Sequence, residues 1–259
     1  MSIFRVLRKI FYVNNIIRFA QALEFRREID KGSNAVIADI GCGDGYLIEA
    51  LKGRFSKYYA VEPSSMHTRI VPSQNIDVLN ESFENLSIPR QSVDIVILSS
   101  VLQMVENDAL LLEKCADILK KDGKICLSVP VGYAYIEKLY KLCSKFARNS
   151  ARIPDTYDEF LKQVNITYGN SKGFYSLQEL NAMVSERNLE VVNARYAPGL
   201  ILSFIHDVSL IIKMCCGKQI STSRRLLVFF PLVFLDALSF NSRGNELFVV
   251  LKKVDSCVD

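Results

Sequence analysis

The chain has 259 residues and a mass of 29.3 kDa, the size of one large domain or of a domain with additions. Its residues are 49% hydrophobic and 23% charged, with a mean hydropathy of +0.15, which excludes a disordered chain. The net charge is only +4, and no basic stripe interleaved with aromatic residues crosses the main domain, so nucleic acid is not expected as a partner.

The positive charge is concentrated in two stretches, residues 1–31 and 199–243. The first has seven Lys and Arg against three Asp and Glu, and the second has five against two. The same stretches are the most apolar parts of the chain. A cationic and apolar combination is typical of segments that lie on a membrane surface.

The first predicted element is a helix within residues 1–31. Its apolar residues recur at helical spacing from Ile3 to Ala20, with polar residues between them. This pattern predicts an amphipathic helical cap. A signal peptide is not predicted, because it needs a continuous apolar block. No uninterrupted apolar span reaches the roughly 18 residues of a simple transmembrane helix, so none is predicted.

From residue 32 to residue 130, short apolar runs alternate with helical patterns. Strands are predicted at Ala35–Asp39, Tyr58–Glu62, Ile76–Asn80, Val93–Leu98 and Lys124–Val129. Helices are predicted from the glycine turn at 41–45 to about Phe55, and over Asn107–Lys120 before a Lys-Asp-Gly break at 121–123. This alternation predicts right-handed β-α-β units and a mostly parallel, Rossmann-like sheet with helices on both faces.

The second half is predicted to close this sheet. A helix is expected around Ala134–Ala147, and a capping box at Ser176–Glu179 begins another that runs to about Arg187. Closing strands follow at Glu190–Tyr196 and Glu246–Lys253. An apolar helical insert separates them, with helices predicted over Gly199–Cys216 and Leu226–Phe240.

Three parts of the chain follow from these patterns. They are the N-terminal helical cap at 1–31, a main domain at 32–198 and 244–259, and the hydrophobic insert at 199–243. The insert is interpreted as a lid or a homodimer interface, or alternatively as a pair of interfacial helices that rest on an anionic membrane.

Metal binding is not predicted. The seven cysteines form no C-x-x-C pair, and there are only two histidines. Irregularly spaced cysteines in apolar stretches indicate buried thiols in a reducing compartment, hence a cytoplasmic protein. His67 is expected on the surface, and His206 is expected to have a structural role. Tyr133 and Tyr135 follow the fifth strand, where they are equally expected to line a substrate pocket or to pack in the core.

The most informative motif is Val-Ile-Ala-Asp-Ile-Gly-Cys-Gly-Asp-Gly-Tyr-Leu at 36–47. Glycines after a buried strand permit a tight turn and let a ligand approach the backbone. A dinucleotide site has G-x-G-x-x-G, whereas here the third glycine comes one residue early and Asp44 lies beside the turn. A cationic or zwitterionic ligand is therefore favoured, and an NAD-dependent or nucleotide-sugar enzyme is a weaker alternative.

Further motifs follow at regular places. They are Val-Glu-Pro at 61–63, Val-Asp-Ile-Val-Ile-Leu-Ser-Ser at 93–100 and Leu-Lys-Lys-Asp-Gly-Lys-Ile-Cys-Leu-Ser-Val-Pro at 119–130. Together with the glycine motif, they make residues 30–130 resemble the class I S-adenosylmethionine-dependent methyltransferases, most closely the small-molecule branch. The resemblance implies a seven-stranded sheet whose last strand is antiparallel, and S-adenosylmethionine as the cofactor.

The resemblance also implies roles for residues at the first two strands. Asp39 would orient the turn and approach the ammonium group of the methionine portion, while Gly41 and Gly43 let the backbone touch that portion. Glu62, at the end of the second strand, would hold the ribose, because a carboxylate at this place can accept hydrogen bonds from both ribose hydroxyls.

Three more residues are implied to contact the cofactor. Glu81 and Ser82 match the acidic and small pair beside adenine, and Ser99 would lie below the sulfonium. The histidine that many members of the branch have after the fourth strand is absent, since Leu102 is followed by Gln-Met. No general base is evident, so the catalytic residues stay unassigned.

The function predicted from these features is in-line methyl transfer from S-adenosylmethionine to a small, apolar or lipid-linked acceptor. The alternative is a non-catalytic protein that keeps the fold for assembly or scaffolding, which the missing base and the large apolar insert would suit. The predicted location is the cytoplasm. The membrane-surface interpretation of the two basic, apolar stretches adds peripheral contact with the membrane to this prediction.

Overall fold

The computed structural model describes residues 16–64, 70–132, 135–146, 154, 156–168, 174–197, 203–205, 207, 208, 211 and 244–254. Among them, no helix combines the length and apolar character needed to cross a membrane. The chain divides into two compact units, one of residues 1–20, 130–174 and 196–246, and one of residues 21–129, 175–195 and 247–259. The sequence-based boundaries at residues 31, 198 and 243 stay predictions.

Helices and strands alternate along the described chain. The helices are α1 (Ile16–Glu28), α2 (Tyr46–Ala50), α3 (Asp108–Ile118), α4 (Ile136–Phe146), α5 (Tyr157–Tyr168) and α6 (Leu177–Ser185). The strands are β1 (Val36–Ile40), β2 (Lys57–Val61), β3 (Ile76–Leu79), β4 (Val93–Ser99), β5 (Leu119–Pro130), β6 (Leu189–Ala197) and β7 (Glu246–Lys253).

The strands form one seven-stranded sheet in the order β3-β2-β1-β4-β5-β7-β6. Strands β1 to β5 pair in parallel. Strand β7 is antiparallel to β5, because Val131 N donates to Asn245 O (3.0 Å) at one end and Lys253 Nζ donates to Leu119 O (2.7 Å) at the other. The predicted α/β fold, with a mostly parallel seven-stranded sheet and an antiparallel last strand, is confirmed.

The larger unit has its core where α1 covers the sheet. Phe25 and Ile29 of α1 are buried against Ile37, Tyr58 and Phe248. The rings of Phe25 and Phe248 meet edge to face, 5.0 Å apart. Each fully buried side chain of this kind contributes about 1.5–3 kcal/mol. The helix that the sequence predicts as a cap is thus part of the core from residue 21 onward.

The smaller unit has its own apolar cluster, formed by Ile136, Tyr140, Phe160 and Ile211. The rings of Tyr140 and Phe160 are 5.0 Å apart. Helix α5, which contributes Phe160, was not predicted, since its apolar and aromatic residues follow no clear period in the sequence.

Buried Asp207 connects other parts of the smaller unit. It accepts hydrogen bonds from the backbone N of Tyr135 and from Asn245 Nδ2, both at 2.8 Å. Tyr135 also packs its ring edge to face against Phe204, 5.4 Å away. These contacts give Tyr135 a packing role, one of its two predicted alternatives.

Two element boundaries differ from the prediction by more than two residues. Helix α2 ends at Ala50 and not at Phe55, because the chain turns through Gly53 (φ +75°), whose carbonyl accepts from Gly32 N. Strand β5 begins at Leu119, and its register against β4 shifts between Val93 and Ile95. The Lys-Asp-Gly triplet lies in this bulge, so it interrupts the pairing without ending the strand.

Several predicted features lie outside the described residues. These are most of the 199–243 insert, the first 15 residues, and the side chains of His67, His206 and Tyr133. Of the insert, positions 203–205, 207, 208 and 211 are described, and they are helical.

Candidate functional site

The sheet contains a point at which the strand order reverses. From β1 the chain proceeds outward to β2 and β3, then returns to place β4 on the other side of β1. In open α/β sheets, ligands bind outside the carboxyl ends of the strands at such a switch point. The glycine turn follows β1 and Ser99 ends β4, so both lie at this place.

Backbone hydrogen bonds hold the glycine turn against β2. The amides of Gly41 and Cys42 both donate to Val61 O, at 2.8 and 3.0 Å, and Gly45 N donates to Cys42 O at 2.9 Å. The turn therefore stays attached to the end of β2, where Glu62 follows directly.

The three glycines of the turn all have positive φ, but their surroundings differ. A Cβ atom on Gly41 would lie 2.5 Å from Val101 Cγ2, and one on Gly45 would lie 2.4 Å from Ile70 Cγ1. A Cβ atom on Gly43 would meet nothing within 4 Å. Gly41 and Gly45 thus permit close packing, whereas Gly43 presents bare backbone to open space.

Asp39 supplies a buried carboxyl group beneath the turn. Its side chain is 1% exposed, and Oδ2 accepts a 2.7 Å hydrogen bond from Tyr58 OH. Oδ1 is buried and has no hydrogen-bond partner among the described residues. Burial raises the pKa of Asp39 to about 7, with the Tyr58 hydrogen bond opposing and Glu62 adding to the rise. Such a group favours a cationic ligand that could pair with it.

Glu62 is fixed beside the turn by two backbone amides. Its Oε2 accepts from Gly43 N at 3.1 Å, and its Oε1 accepts from Ser64 N at 3.2 Å. Each carboxylate oxygen keeps further acceptor capacity after one hydrogen bond. The structure therefore brings Asp39, the glycine turn and Glu62 together.

Glu81 and Ser82 lie in the loop after β3. Glu81 Oε1 accepts from the backbone N of Ser87 at 2.8 Å and from its hydroxyl at 3.1 Å, which closes the turn over residues 81–87. Ser82 precedes the short 3-10 helix Phe83–Asn85 without a side-chain capping bond. The hydrogen bonds described for Glu81 support the loop, and its predicted contact with adenine stays a prediction.

A polar group that we call the Gln21 cluster lies on the β4 side of the switch point; its members are Gln21, Tyr46, Ser99, Ser100 and Ser128. Gln21 Nε2 donates to Ser100 Oγ at 2.5 Å and to Ser128 Oγ at 3.0 Å. Tyr46 OH donates to Gln21 Oε1 at 3.0 Å and lies 2.6 Å from Ser99 Oγ. Of these residues only Ser99 was predicted, because Gln21 is 78 residues away from it in the sequence.

Ser100 adopts a left-handed conformation, with φ +55°. This conformation is uncommon for a residue with a side chain and persists where surrounding contacts enforce it. Ser100 N donates to Ser128 O at 3.0 Å, and Ser100 O accepts from Gln103 Nε2 at 2.9 Å. The end of β4 is thus held in a strained shape at the switch point.

The electrostatic environment of the turn is negative. Burial raises the pKa of the Cys42 thiol well above its usual range, and the charges of Asp39, Glu62 and Asp44 raise it further. Within the described part of the chain, no group of three or more His, Cys, Asp or Glu side chains is placed to hold a metal ion. The negative charges beside the turn favour a cationic ligand.

Comparisons with known proteins agree with this geometry. A family described as "Methyltransferase domain" matches residues 38–127. An uncharacterised protein of Methanocaldococcus jannaschii is 27% identical over 145 residues, which are 55% of this chain and 67% of that protein. A Mycobacterium tuberculosis protein, named as a probable S-adenosylmethionine-dependent methyltransferase, is 25% identical over 96 residues. That match covers 36% of this chain and 35% of the mycobacterial protein.

Solved structures share the fold at low sequence identity. An S-adenosylmethionine-dependent methyltransferase from Mesorhizobium loti is 16% identical, with a TM-score of 0.56 over 92% of this chain and 100% of that one. A second structure is the complex between the Haloferax volcanii Trm112 methyltransferase activator and a methyltransferase. Its matching chain is 14% identical, with a TM-score of 0.56 over 90% of this chain and 89% of that one. At this identity the likeness is one of fold.

Proposed function

We propose that this chain, which belongs to the class I S-adenosylmethionine-dependent methyltransferases and uses S-adenosylmethionine as its cofactor, transfers a methyl group to a small apolar or lipid-linked acceptor. The observation that carries the proposal is the buried, unpaired Oδ1 of Asp39 beside the bare backbone of Gly43. A buried carboxyl oxygen without a partner among the described residues destabilises the fold, and a bound ammonium group would offset that cost.

The residues of the glycine turn fit the methionine portion of the cofactor. The unpaired Asp39 oxygen would accept a hydrogen bond from its ammonium group, and Gly43 leaves room for it against the backbone. Gly41 contributes indirectly, since its missing Cβ lets Val101 pack against the turn.

Glu62 would hold the ribose hydroxyls with the remaining acceptor capacity of its two oxygens. Glu81 and Ser82 would flank adenine, as they lie after β3, whose last residue Leu79 accepts from Glu62 N. Ser99 would lie below the sulfonium at the end of β4.

When bound, S-adenosylmethionine supplies an electrophilic methyl group on a positively charged sulfur. The protein's part is then to hold the reacting groups in line and to exclude water, which can account for much of the acceleration. A general base is required only where the acceptor loses a proton early. We therefore assign no catalytic residue.

The cofactor roles can be tested by calorimetry with S-adenosylhomocysteine. We expect the wild type to bind it and Glu62→Gln to bind it about tenfold more weakly, the loss for one charged hydrogen bond. Glu113→Gln, an exposed change on α3, is the matched control and should bind as the wild type does. No binding by the wild type would contradict the proposal and favour the scaffold alternative, whereas undiminished affinity in Glu62→Gln would contradict the role proposed for Glu62.

The proposed acceptor class rests on the charge and apolar character of residues 1–31 and 199–243. Such segments would place the chain at an anionic membrane surface, where an apolar or lipid-linked acceptor is found. We expect the protein to sediment with anionic vesicles and to be released by salt, because surface charges are screened.

A charge-neutral variant tests this membrane proposal directly. Arg5→Gln, Arg8→Gln and Lys9→Gln together should abolish sedimentation with anionic vesicles and leave S-adenosylhomocysteine binding intact. Uncharged vesicles are the control. Sedimentation that neither these substitutions nor salt reduces would remove the support for a membrane-associated acceptor.

A further inference from the structure

The geometry points to the Gln21 cluster as the part of the site that distinguishes the charged sulfonium of S-adenosylmethionine from the neutral thioether of S-adenosylhomocysteine. Tyr46 and Ser99 would supply the hydroxyl oxygens that meet the sulfonium, with Gln21 as the positioning residue. This inference rests on the proposed function and deepens it, since it concerns which form of the cofactor is preferred.

The cluster occupies the switch point itself. Tyr46 follows Gly45, the last glycine of the turn after β1, and Ser99 is the last residue of β4. Their oxygens are 2.6 Å apart, so the two sides of the crevice are joined by a direct hydrogen bond. A ligand whose methionine portion lies along the glycine turn therefore passes next to these two hydroxyls.

Hydrogen bonds within the cluster involve the Gln21 amide group and the Tyr46 and Ser99 hydroxyl groups. Gln21 directs its Nε2 protons to Ser100 and Ser128. Gln21 Oε1, Tyr46 OH and Ser99 Oγ lie 2.6 to 3.3 Å from one another, and their three contacts share the two hydroxyl protons. The hydroxyl oxygens thus present lone pairs, which attract a positive centre.

The cluster is also rigid. Gln21 is 4% exposed and Ser128 1% exposed, and the strained backbone of Ser100 lies between them in the network. Oxygens held in fixed positions stabilise a charge without reorganising when it binds. Asp39 and Glu62, at the same glycine turn, add negative charge that also favours a cation.

The charge on sulfur changes during the reaction cycle. Methyl transfer removes the positive charge from sulfur, so the attraction to the hydroxyl oxygens disappears when the product forms. Asp39 and Glu62 would contact groups that both forms share, and they do not distinguish the two. The cluster therefore weakens product binding relative to cofactor binding.

The test is the ratio of two dissociation constants, for S-adenosylmethionine and for S-adenosylhomocysteine, measured by calorimetry without an acceptor. Tyr46→Phe should weaken S-adenosylmethionine binding by on the order of fivefold, as expected for one hydrogen bond, and should leave S-adenosylhomocysteine binding nearly unchanged. Gln21→Met should shift the ratio in the same direction. Tyr59→Phe, a change on β2 where the ring packs under Lys57, is the matched control and should leave the ratio unchanged.

The outcomes separate this inference from the proposed function. Equal weakening of both ligands in Tyr46→Phe would show a merely structural role, and wild-type affinity for both ligands would show no role; either result overturns the inference. If the wild type binds neither ligand, the proposed function itself fails. Should Gln21→Met not fold, Tyr46→Phe alone decides, because it keeps the ring and its packing.

Discussion

Asp39 combines a buried carboxyl group with a pKa of about 7, well above its ordinary value of 3.8. Because the folded-state pKa is the higher one, Asp39 favours the folded state at low pH, and this contribution is lost as the pH rises through about 7. A cationic ligand needs the ionised form. Protein stability and ligand affinity should therefore respond to pH in opposite directions.

The first prediction concerns this pH dependence. Affinity for S-adenosylhomocysteine should rise with pH and level off above about 7, while Asp39→Asn should bind weakly at every pH. Tyr58→Phe should move the rise to higher pH, because it removes the hydrogen bond that lowers the pKa of Asp39. Calorimetry over a pH series measures all three; a wild-type affinity that does not change with pH would contradict the assignment.

The second prediction separates two glycines of one turn. Gly43→Ala should lower the free energy of unfolding by only about 1–2 kcal/mol, the strain of a left-handed residue, but should abolish cofactor binding, since its methyl group enters the open space. Gly41→Ala should lower the free energy of unfolding by about 1–3 kcal/mol more than Gly43→Ala does, because its methyl group would overpack against Val101. Urea unfolding and calorimetry on both variants check this, and wild-type binding by Gly43→Ala would be the contrary result.

Residues of the site differ in how far the sequence reveals them. Asp39, the glycines and Glu62 follow buried strands in a recognisable motif, and the structure places them together. Gln21 carries no such signal, because its partners are 79 and 107 residues away in the chain. Only the packing of α1 on the sheet reveals a polar side chain directed at the ends of β4 and β5.

At the scale of elements, helix α1 is attached to the sheet by a set of charged contacts. Arg195 of β6 donates to Glu24 at 2.9 Å and to Glu28 at 2.6 Å, and its guanidinium lies 5.4 Å from the ring centre of Phe248. Lys124 of β5 donates to Glu28 O at 2.6 Å. Because α1 also carries Gln21, this attachment positions one wall of the site.

The third prediction tests the attachment. Arg195→Met should lower the free energy of unfolding by about 2 kcal/mol, because two largely buried carboxylates each lose one cation and keep only Arg27 (for Glu24) and Lys124 (for Glu28). Arg90→Met, which removes an exposed pair with Asp117, should change it by less than about 1 kcal/mol. Urea unfolding of both variants makes the comparison; equal losses would show that the Arg195 contacts add nothing beyond a surface pair.

Local signals predicted the elements better than their ends. The capping box at Ser176 and Glu179 is present, and β7 has the predicted bounds. The start of β5 was missed because the Lys-Asp-Gly bulge resembles a helix termination in sequence, while pairing with β4 keeps the strand continuous. Tertiary pairing decides such boundaries, and a single sequence does not contain it.

On the scale of the whole molecule, β7 has an interior position in the sheet although it is the last strand in the sequence. It lies between β5 and β6, and its residues from Leu247 to Leu251 are buried. Removing the strand would expose one edge of β5 and separate β6 from the sheet. The sheet therefore depends on the final described element for its completeness.

The fourth prediction follows from this position. A chain that stops after Asn245 should show no cooperative thermal unfolding, because it loses five buried apolar side chains worth about 2 kcal/mol each, a total comparable with the stability of a whole domain. A chain that stops after Val254 keeps β7 and is the control. Circular dichroism during heating distinguishes them, and cooperative unfolding of the shorter chain would contradict the prediction.

The late position of β7 also sets an order of assembly during synthesis. Asp39, the glycine turn, Glu62 and the whole Gln21 cluster lie between residues 21 and 128, so the ribosome produces all of them before the second half of the chain. Strand β6 then waits for a partner that is made more than 45 residues later. A nascent chain thus has the residues of its cofactor site before its sheet can close, and in this interval the unpaired edges of β5 and β6 are open to aggregation.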